Sequence, residues 1–583
     1  MIRYQQKPAQ TEQPLAMILQ QYLPFFLVIF AEQFEALVQQ LVYGVILSHA
    51  KSHLLYRVQQ HLDFSALEQA CADYHHAEGR GTHPSHSVPR MLRILLIKYL
   101  YDLSLREMEV RLYTDLLVRW FAGYALFDDL PDHTTIERFE VWVAQHQKRA
   151  CFEEVLRQIE ADYPDEPAKA QIGDTYAMRA QAARENLNTL LRHASLRMLE
   201  SAAQVLPVAL TNALSSFAWT DLFGAYKETP WFALSKEDRD KRLLLNARTT
   251  DELHTRVTTI LADRPGTEFP ELRKRLAHLR KILRDEFALS AEQVSRLPAR
   301  EQGAFRIGSA TDPEATYRVH GPNPEDTAFG YNVQVAMTTS GLIRETKAYS
   351  GAEPDQTGVA ALVSEQKTHL QVCPPKLIYD QAAGNGKTRA QVEQASEGQT
   401  QLVSNLPPYE KRSVRFGPYD FALSQDGEEL TCPNGKVSSI AYRSGAADGR
   451  DFRFFDFQCW ASEPPARLNK ADLTKRCPLW KPCRDSRQGP RTMRQVFISD
   501  YRQQVLAAQQ YNQTDEFRQE MKQRPRVERV VFELTHYNGA RQCRRRGLEY
   551  ADWQAKMSAT AYNLKYWIRR LYSRLKPRTR PAY

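Results

Sequence analysis

The sequence has no apolar run long enough to cross a bilayer. Its most apolar early stretch, LPFFLVIF at residues 23–30, is about a third of the length that a spanning helix needs. No signal peptide opens the chain, and Gln and Glu residues bracket the stretch. We therefore expect a soluble cytoplasmic protein in which this stretch belongs to a buried or partner-facing helix.

Cysteine is scarce, with 8 residues in a chain of 583. Half of them are scattered, which argues against a secreted disulfide framework. The other four share one stretch, with 26, 17 and 5 residues between them and no CxxC pair: Cys432, Cys459, Cys477 and Cys483. Zinc ligands usually come in close pairs, so this spacing favours buried free thiols over structural zinc and leaves both open.

Acidic residues are too few to balance the basic ones, and the net charge is +9. The excess lies at the end of the chain, because residues 541–583 contain twelve Lys or Arg and two acids. Trp553, Tyr562 and Trp567 interleave with these charges at helical spacing. The segment therefore looks like a packed helix with a basic face, which suits an acidic partner such as nucleic acid.

Residues 1 to about 160 have a helical pattern. Ser104 with Glu107, and Thr134 with Glu137, each match a capping box at a helix start. Two capped helices with turn residues between them fit a helix-turn-helix DNA reader, and they fit ordinary bundle helices equally well.

β-strand patterns follow the helical segment. The run AQIGDTYAM is interpreted as a short strand that ends on the acid Asp174, and KLIY as one that ends at Asp380. Between them, residues 185–300 look helical, and residues 331–350 read as a hairpin around Ser340-Gly341. Residues 415–500 look irregular and aromatic, with their Phe residues forming a small core, and residues 513–575 look helical.

A third acid, Glu528, lies among arginines on the last helical segment. Two Mg²⁺ ions can hold the attacking and leaving oxygens of a phosphoryl transfer, and they prefer several carboxylates from distant parts of a chain. Asp174, Asp380 and Glu528 would supply them. The alternative for Glu528 is a surface salt bridge with Arg524 or Arg529.

The order of several short blocks resembles bacterial insertion-sequence transposases of the DDE class. The blocks are LIKYLYDLSLREMEVRLYTDLLVRWFAGY, LPDHTTIERF, GDTYAM, SATDPEA, FGYNVQVAMTTSGLI, LIYDQAAGNG, RPRVERVVFELTHYNGARQCRRRGLEY and ADWQAKMSATAYNLKYWIRRL. Each is weak alone, but their number and order make the resemblance specific, and it runs from about residue 50 to about 572.

The resemblance implies roles for individual residues. Asp174, Asp380 and Glu528 match the three catalytic acids that bind two Mg²⁺ or Mn²⁺ ions, and Arg524 matches the family's arginine. The family's lysine and tyrosine near the glutamate are replaced by Thr535 and Met521, which puts the phosphate contacts, and hence full activity, in doubt. Arg524 is a candidate DNA contact, and nearby basic residues are further candidates that could replace the missing phosphate contacts: Arg541, Arg544, Arg545 and Arg546.

The resemblance also implies a multidomain α+β architecture. We expect a helical extension at 1–50, an all-α DNA-binding domain at 51–160, and an RNase H-like α/β/α core starting at 165–414 with a helical insertion at about 185–300. A cysteine-bearing insertion would follow at 415–505, with the closing helix and basic region at 506–583.

The function implied is transposition. The protein would bind the terminal inverted repeats of its element and target DNA, act as a homodimer in the synaptic complex, and associate with the nucleoid. An RNase H-like nuclease without strand transfer shares the metal chemistry and is one alternative. A catalytically silent DNA-binding protein is the other; Thr535 and Met521 favour it slightly, and the retained acids disfavour it.

Overall fold

The N-terminal part of the chain is helical, as predicted. The computed structural model describes residues 26–74, 86–224, 231–290, 293–303, 305–319, 327–406, 416–444, 452–458, 477–483 and 493–574. The helices before the first strand are α1 (Phe26–His49), α2 (Leu54–His61), α3 (Ser65–Ala70), α4 (Val88–Leu100), α5 (Leu105–Thr114), α6 (Leu116–Phe121), α7 (His133–His146) and α8 (Ala150–Asp162). No helix within the described ranges is long and apolar enough to cross a membrane.

Two helix starts test the capping predictions. The Ser104 side chain accepts a hydrogen bond from the Glu107 backbone N–H, and Glu107 accepts one in return, so the first capping box is confirmed. The second box, at Thr134 and Glu137, was wrong. Asp132 is the N-cap of α7, because its carboxylate accepts a first-turn N–H at 2.8 Å and an aspartate caps at least as well as a threonine.

The short helix α6 lies between α5 and α7. A helix-turn-helix unit joins its two helices by a turn of a few residues, which is not the arrangement of α5 and α7. The inner face of α7, with Phe139 and Val143, is buried in the same core as Met108 and Leu112 of α5. Of the two interpretations, this packing fits the bundle helices.

A six-stranded sheet forms the centre of the described chain. The strands up to this point are β1 (Gln171–Arg179), β2 (Phe287–Leu289), β3 (Val294–Arg296), β4 (Thr316–Val319), β5 (Thr327–Thr338), β6 (Ile343–Ser350), β7 (Lys376–Ile378) and β8 (Gln401–Val403). β5 pairs antiparallel with β1, β4 and β6, while β7 lies parallel to β1 and β8 parallel to β7. β2 and β3 form a separate two-stranded sheet.

The predicted hairpin is confirmed, and one predicted strand end is wrong. β5 and β6 pair on either side of a turn in which Gly341 has a φ of 106°. The strand that was expected to end at Asp174 continues to Arg179. It does so because β5 is long enough to pair with the whole of β1, from Thr338 beside Gln171 to Gly330 beside Arg179. Asp174 therefore lies in the middle of a strand, whereas Asp380 follows the end of β7 as predicted.

Helices cover both faces of this sheet. On one face, Ile172, Tyr176 and Val335 belong to the large core that includes helices α4, α7 and α8. On the other, Ala336 and Leu377 pack against α13 (Val359–Leu370), and α14 (Gly386–Ala395) lies beside it. The predicted helical segment after β1 has a separate apolar core and contains α9 (Leu187–Val205), α10 (Pro207–Ala213), α11 (Lys236–Ile260) and α12 (Pro270–Glu286).

The expectation of an irregular segment at residues 415–500 was wrong. Its described parts form a five-stranded antiparallel sheet of β9 (Ala422–Leu423), β10 (Glu429–Thr431), β11 (Val437–Arg443), β12 (Phe452–Gln458) and β13 (Met493–Ser499), with the short helix α15 (Trp480–Cys483). Of the aromatic residues predicted to form its core, Phe455 and Phe457 are buried, Phe452 and Phe454 are partly buried, and Trp460 lies outside the described residues. Phe454 and Phe455 are adjacent in β12 and break a strict alternation of apolar and polar residues, so the sequence pattern did not mark this strand clearly.

The last part of the chain returns to helix and closes the large core. It contains α16 (Arg502–Tyr511), α17 (Asp515–Met521), α18 (Arg526–Tyr537) and α19 (Leu548–Arg574). α19 packs against β6, α4 and α8, and Trp553, Leu564 and Trp567 are buried. The C-terminal basic stretch thus forms a packed helix from Leu548 to Arg574, in a mixed α+β protein with a helical N-terminal region.

Candidate active site

The first acid, Asp174, is held by β1 on the face that packs against α18. Side chains alternate along a strand, so Asp174 shares this face with Ile172 and Tyr176. Its carboxylate is largely buried, and burial raises its pKa above the usual range. The charges of Asp380 and Glu528 raise this pKa further, while a backbone N–H from Thr175 and the Arg524 charge lower it. The three predicted acids therefore lie within electrostatic reach of one another.

The second acid, Asp380, follows the strand next to Asp174. β1 and β7 run parallel, and Ile172 lies beside Ile378. Asp174 and Asp380 each follow two residues after these paired isoleucines, in the same direction along the chain. The Asp380 carboxylate accepts the Ala382 N–H at 3.1 Å and caps a short 3-10 turn. The parallel pairing thus brings the two carboxylates together on neighbouring strands, close enough for the Asp380 charge to raise the pKa of Asp174.

The third acid, Glu528, lies in the first turn of α18. Val527, Val530 and Leu534 bury the inner face of this helix, and α18 packs on β1. Glu528 lies on the outer face with its side chain 60% exposed. A carboxylate is favoured at this position, because the N-terminal end of a helix carries partial positive charge.

Arg524 bridges two of the acids. Its Nη1 donates to Glu528 Oε1 at 2.6 Å, and its Nη2 lies 3.4 Å from both Oδ1 and Oδ2 of Asp174. The salt bridge that was the alternative interpretation of Glu528 is therefore present with Arg524, whereas Arg529 pairs with Glu533. Because the same guanidinium also reaches Asp174, this bridge is part of the acid cluster.

The donor chemistry of the cluster suits a divalent cation. Carboxylate oxygens from three elements are the ligands that Mg²⁺ and Mn²⁺ prefer. As placed here, no group of three or more His, Cys, Asp or Glu among the described residues is arranged to hold a metal ion. The positive charge between Asp174 and Glu528 is instead the Arg524 guanidinium.

Sequence reasoning missed two residues close to the acids, Arg318 and Tyr379. Arg318 on β4 donates to Thr175 Oγ1 at 2.8 Å and lies 3.6 Å from Asp355. The buried hydroxyl of Tyr379 has no hydrogen-bond partner among the described residues, and burial together with Asp174, Asp355 and Asp380 raises its pKa. In the sequence, only the position of Tyr379 directly before Asp380 could have indicated that either residue lies near the site.

Gly173 leaves room for this tyrosine ring. A Cβ at residue 173 would lie 2.4 Å from Tyr379 Cε2, closer than any side chain tolerates. We expect Gly173→Ala to lower the free energy of unfolding by about 1–3 kcal/mol, because the ring must move in a filled core. Chemical denaturation measures this, with Gly266→Ala as the control, since a Cβ there meets nothing within 4 Å. Equal losses in the two variants would contradict the packing account.

Of the predicted DNA-contacting arginines, Arg524 contacts two of the three acids, and the others line grooves to which none of these acids belongs. Arg544 pairs with Asp102 and Arg545 with Glu137, which ties the segment before α19 to the N-terminal helices. Both line a groove of 1050 Å³ with Arg546, whose Nε lies 3.4 Å from the Gln181 carbonyl oxygen. Acids also line this groove: Asp102, Glu107, Glu137, Glu140, Glu314 and Glu549.

Arg541 lies in a neighbouring groove of 410 Å³ that Arg544 also lines. Thr535, one of the two departures from the family pattern, belongs to the same groove, and its hydroxyl donates to the Val531 carbonyl oxygen at 2.9 Å. Met521, the other departure, ends α17 and packs against the large core. DNA contacts by these arginines stay a prediction.

Three of the four clustered cysteines converge in the fold. Cys432, Cys477 and Cys483 line one cavity of 20 Å³, and Arg494 donates to Cys483 Sγ. The Lys436 backbone N–H donates to Cys432 Sγ at 3.3 Å. Cys459 lies outside the described residues. Both interpretations of the quartet, structural zinc and free thiols, stay predictions.

Comparison with protein families bears on the same regions. Residues 46–141 match the family described as "Transposase domain (DUF772)", which covers most of the N-terminal helices. Residues 431–568 match the family described as "Transposase DDE domain", which includes Glu528 and Arg524. No solved structure matches the chain significantly. Together, the two family matches support an insertion-sequence transposase of the DDE class, as the order of sequence motifs predicted.

Proposed function

We propose that this transposase hydrolyses phosphodiesters at the ends of its element and joins the freed 3′-hydroxyl to target DNA. One observation carries the proposal. Asp174, which contacts Arg524 together with Glu528, also lies within electrostatic reach of Asp380, and these acids come from three distant parts of a chain that matches two transposase domains. Clustered carboxylates repel DNA unless cations accompany them, so a protein that only bound DNA would gain nothing from this arrangement.

The strand order supports an RNase H-like core as the scaffold of this chemistry. β6, β5 and β1 are antiparallel neighbours, and β7 and β8 continue the sheet in parallel. We propose that the helical insertion between β1 and β4 and the cysteine-bearing sheet after β8 are additions to this core.

Each acid has a distinct role in the proposed site. Asp174 is held rigidly by β1, Asp380 is oriented by its cap on the 3-10 turn, and exposed Glu528 faces solvent from which DNA and metal arrive. Two bound Mg²⁺ or Mn²⁺ ions would activate water and stabilise charge on the phosphate. The residues of the chain orient this chemistry, because Asp174 lies within a strand, Asp380 lies just beyond a strand end and Glu528 lies in the first turn of a helix.

Synapsis of two transposon ends requires at least two copies of the chain, and we propose that α1 contributes to their contact. Phe34, Leu37, Leu41 and Val45 form an exposed apolar stripe on this helix. Such stripes mark interaction surfaces on soluble proteins.

Plasmid excision of a marked element in the presence of Mg²⁺ tests the proposal. We expect the wild-type protein to excise the element and to insert it into a target plasmid. Cleavage without insertion would favour the nuclease alternative. Specific binding to the ends without any cleavage would favour the silent DNA-binding protein, and Thr535→Lys with Met521→Tyr would then be the variant in which to look for restored cleavage.

A further inference from the structure

The arrangement of Arg524 has a feature that the proposed chemistry does not explain. The guanidinium contacts Asp174 and Glu528 simultaneously, and its Nε is buried with no acceptor among the described residues. Arg524 itself lies in the turn between α17 and α18, next to Pro525 at the N-cap of α18. It is therefore fixed at the start of the helix that carries one of the acids.

A guanidinium and a divalent cation compete for the same oxygens. Arginine offers a planar fork that two carboxylates can share, whereas Mg²⁺ requires those oxygens to point at one centre. While Nη1 holds Glu528 and Nη2 faces Asp174, these oxygens point at the guanidinium. One of the two cations must leave before the other can be bound by both acids.

A phosphate group offers Arg524 an alternative partner. Bidentate Arg–phosphate pairs are as well matched in geometry as Arg–carboxylate pairs. A DNA backbone at the acid cluster would therefore draw the guanidinium from the carboxylates and leave them free. The incoming metal ion then replaces the positive charge of the guanidinium beside the acids.

We propose that Arg524 is an internal counter-ion that occupies the cation position between Asp174 and Glu528 in the DNA-free protein and must be displaced when the metal binds. The inference rests on the proposed function, because it assumes that these acids are the metal ligands. Arg524 is then a positioning residue that limits metal binding in the absence of DNA. The metal-loaded site forms only when nucleic acid is bound.

Metal affinity of the full-length chain without DNA tests this. Calorimetric titration with Mn²⁺ should show Arg524→Gln binding about tenfold more tightly than the wild type, because a competing unit charge next to two carboxylates has been removed. Arg524→Lys should bind with intermediate affinity, since a single ammonium cannot bridge both acids. The matched control is Arg529→Gln, which removes one positive charge from α18 but breaks only the pair with Glu533.

The outcomes separate this inference from the proposed function. The counter-ion role is overturned if Arg524→Gln binds Mn²⁺ no more tightly than Arg529→Gln does. The same holds if neither variant shows measurable binding. Asp174→Asn in the same titration tests the site itself: undiminished Mn²⁺ binding by that variant would overturn the proposed metal ligands. Thermal unfolding of every variant shows whether the fold is retained, and the Lys variant keeps the test valid should the Gln variant unfold.

Discussion

Replacing any one of the three acids by its amide is expected to lower plasmid excision by about a thousandfold or more. Asp174→Asn, Asp380→Asn and Glu528→Gln keep the size of each side chain and remove the charge that a divalent cation needs. Since the acids act on one centre, combining two substitutions should add little to the loss caused by one. Quantified excision products from a marked plasmid measure the effect.

Binding and stability should remain in these variants. Asp174 is buried with a raised pKa, so its amide removes a charge that folding disfavours, and Glu528 is exposed. Thermal unfolding and end-DNA binding should therefore stay close to the wild type. The control is Asp515→Asn on α17, an exposed carboxylate paired with Arg518, which should excise normally. Wild-type excision by any of the three amide variants would contradict the assignment of that residue.

The largest loss of stability is expected where the N-terminal helices meet the last helix. Lys98 on α4 and Glu140 on α7 form an ion pair at 2.6 Å, and each side chain is 1% exposed. Glu140 also accepts hydrogen bonds from the hydroxyls of Tyr99 and Tyr550 at 3.1 and 2.8 Å. Glu140→Leu should lower the free energy of unfolding by about 3–5 kcal/mol, because it leaves a buried cation and two hydroxyls unpaired.

The pH dependence of this loss identifies its cause. Burial lowers the pKa of Lys98 to about 8 even with Glu140 present, and without Glu140 it should fall further. The folded wild type therefore keeps the Lys98 proton up to about pH 8, whereas the folded variant loses it at a lower pH, so the deficit should shrink as the pH rises towards about 8 and stay constant above it. Denaturant unfolding between pH 6 and pH 9 measures this. Lys98→Met combined with Glu140→Leu should recover part of the loss; no recovery and a pH-independent deficit would point to packing alone.

The order of the acids along the chain could be predicted, and their geometry could not. Asp380 follows a short apolar strand, a local pattern that the structure confirms. Asp174 was expected at a strand end but lies mid-strand, because pairing with the distant strand β5 sets the length of β1. The bridge that Arg524 makes to Asp174 spans 350 residues of sequence and depends on how α18 packs against β1. Local patterns do not record such contacts.

The basic C-terminal stretch shows the same limit. Its charge count predicted a DNA-facing surface, and its aromatic spacing correctly predicted a packed helix. Lys556 is 2% exposed and bonds to the Thr346 carbonyl oxygen, while Arg544 and Arg545 pair with acids of the N-terminal helices. Since a sequence gives the sign of a charge and not its partner, the charge count overstated how many of these side chains are free.

Anomalous diffraction from the protein bound to its end DNA and Mn²⁺ tests the central claim most directly. The account predicts anomalous peaks for two Mn²⁺ ions between Asp174, Asp380 and Glu528, with the Arg524 guanidinium moved from the carboxylates onto a phosphate. Manganese bound elsewhere on the chain, with DNA at the acids and the Arg524 bridge intact, would contradict it.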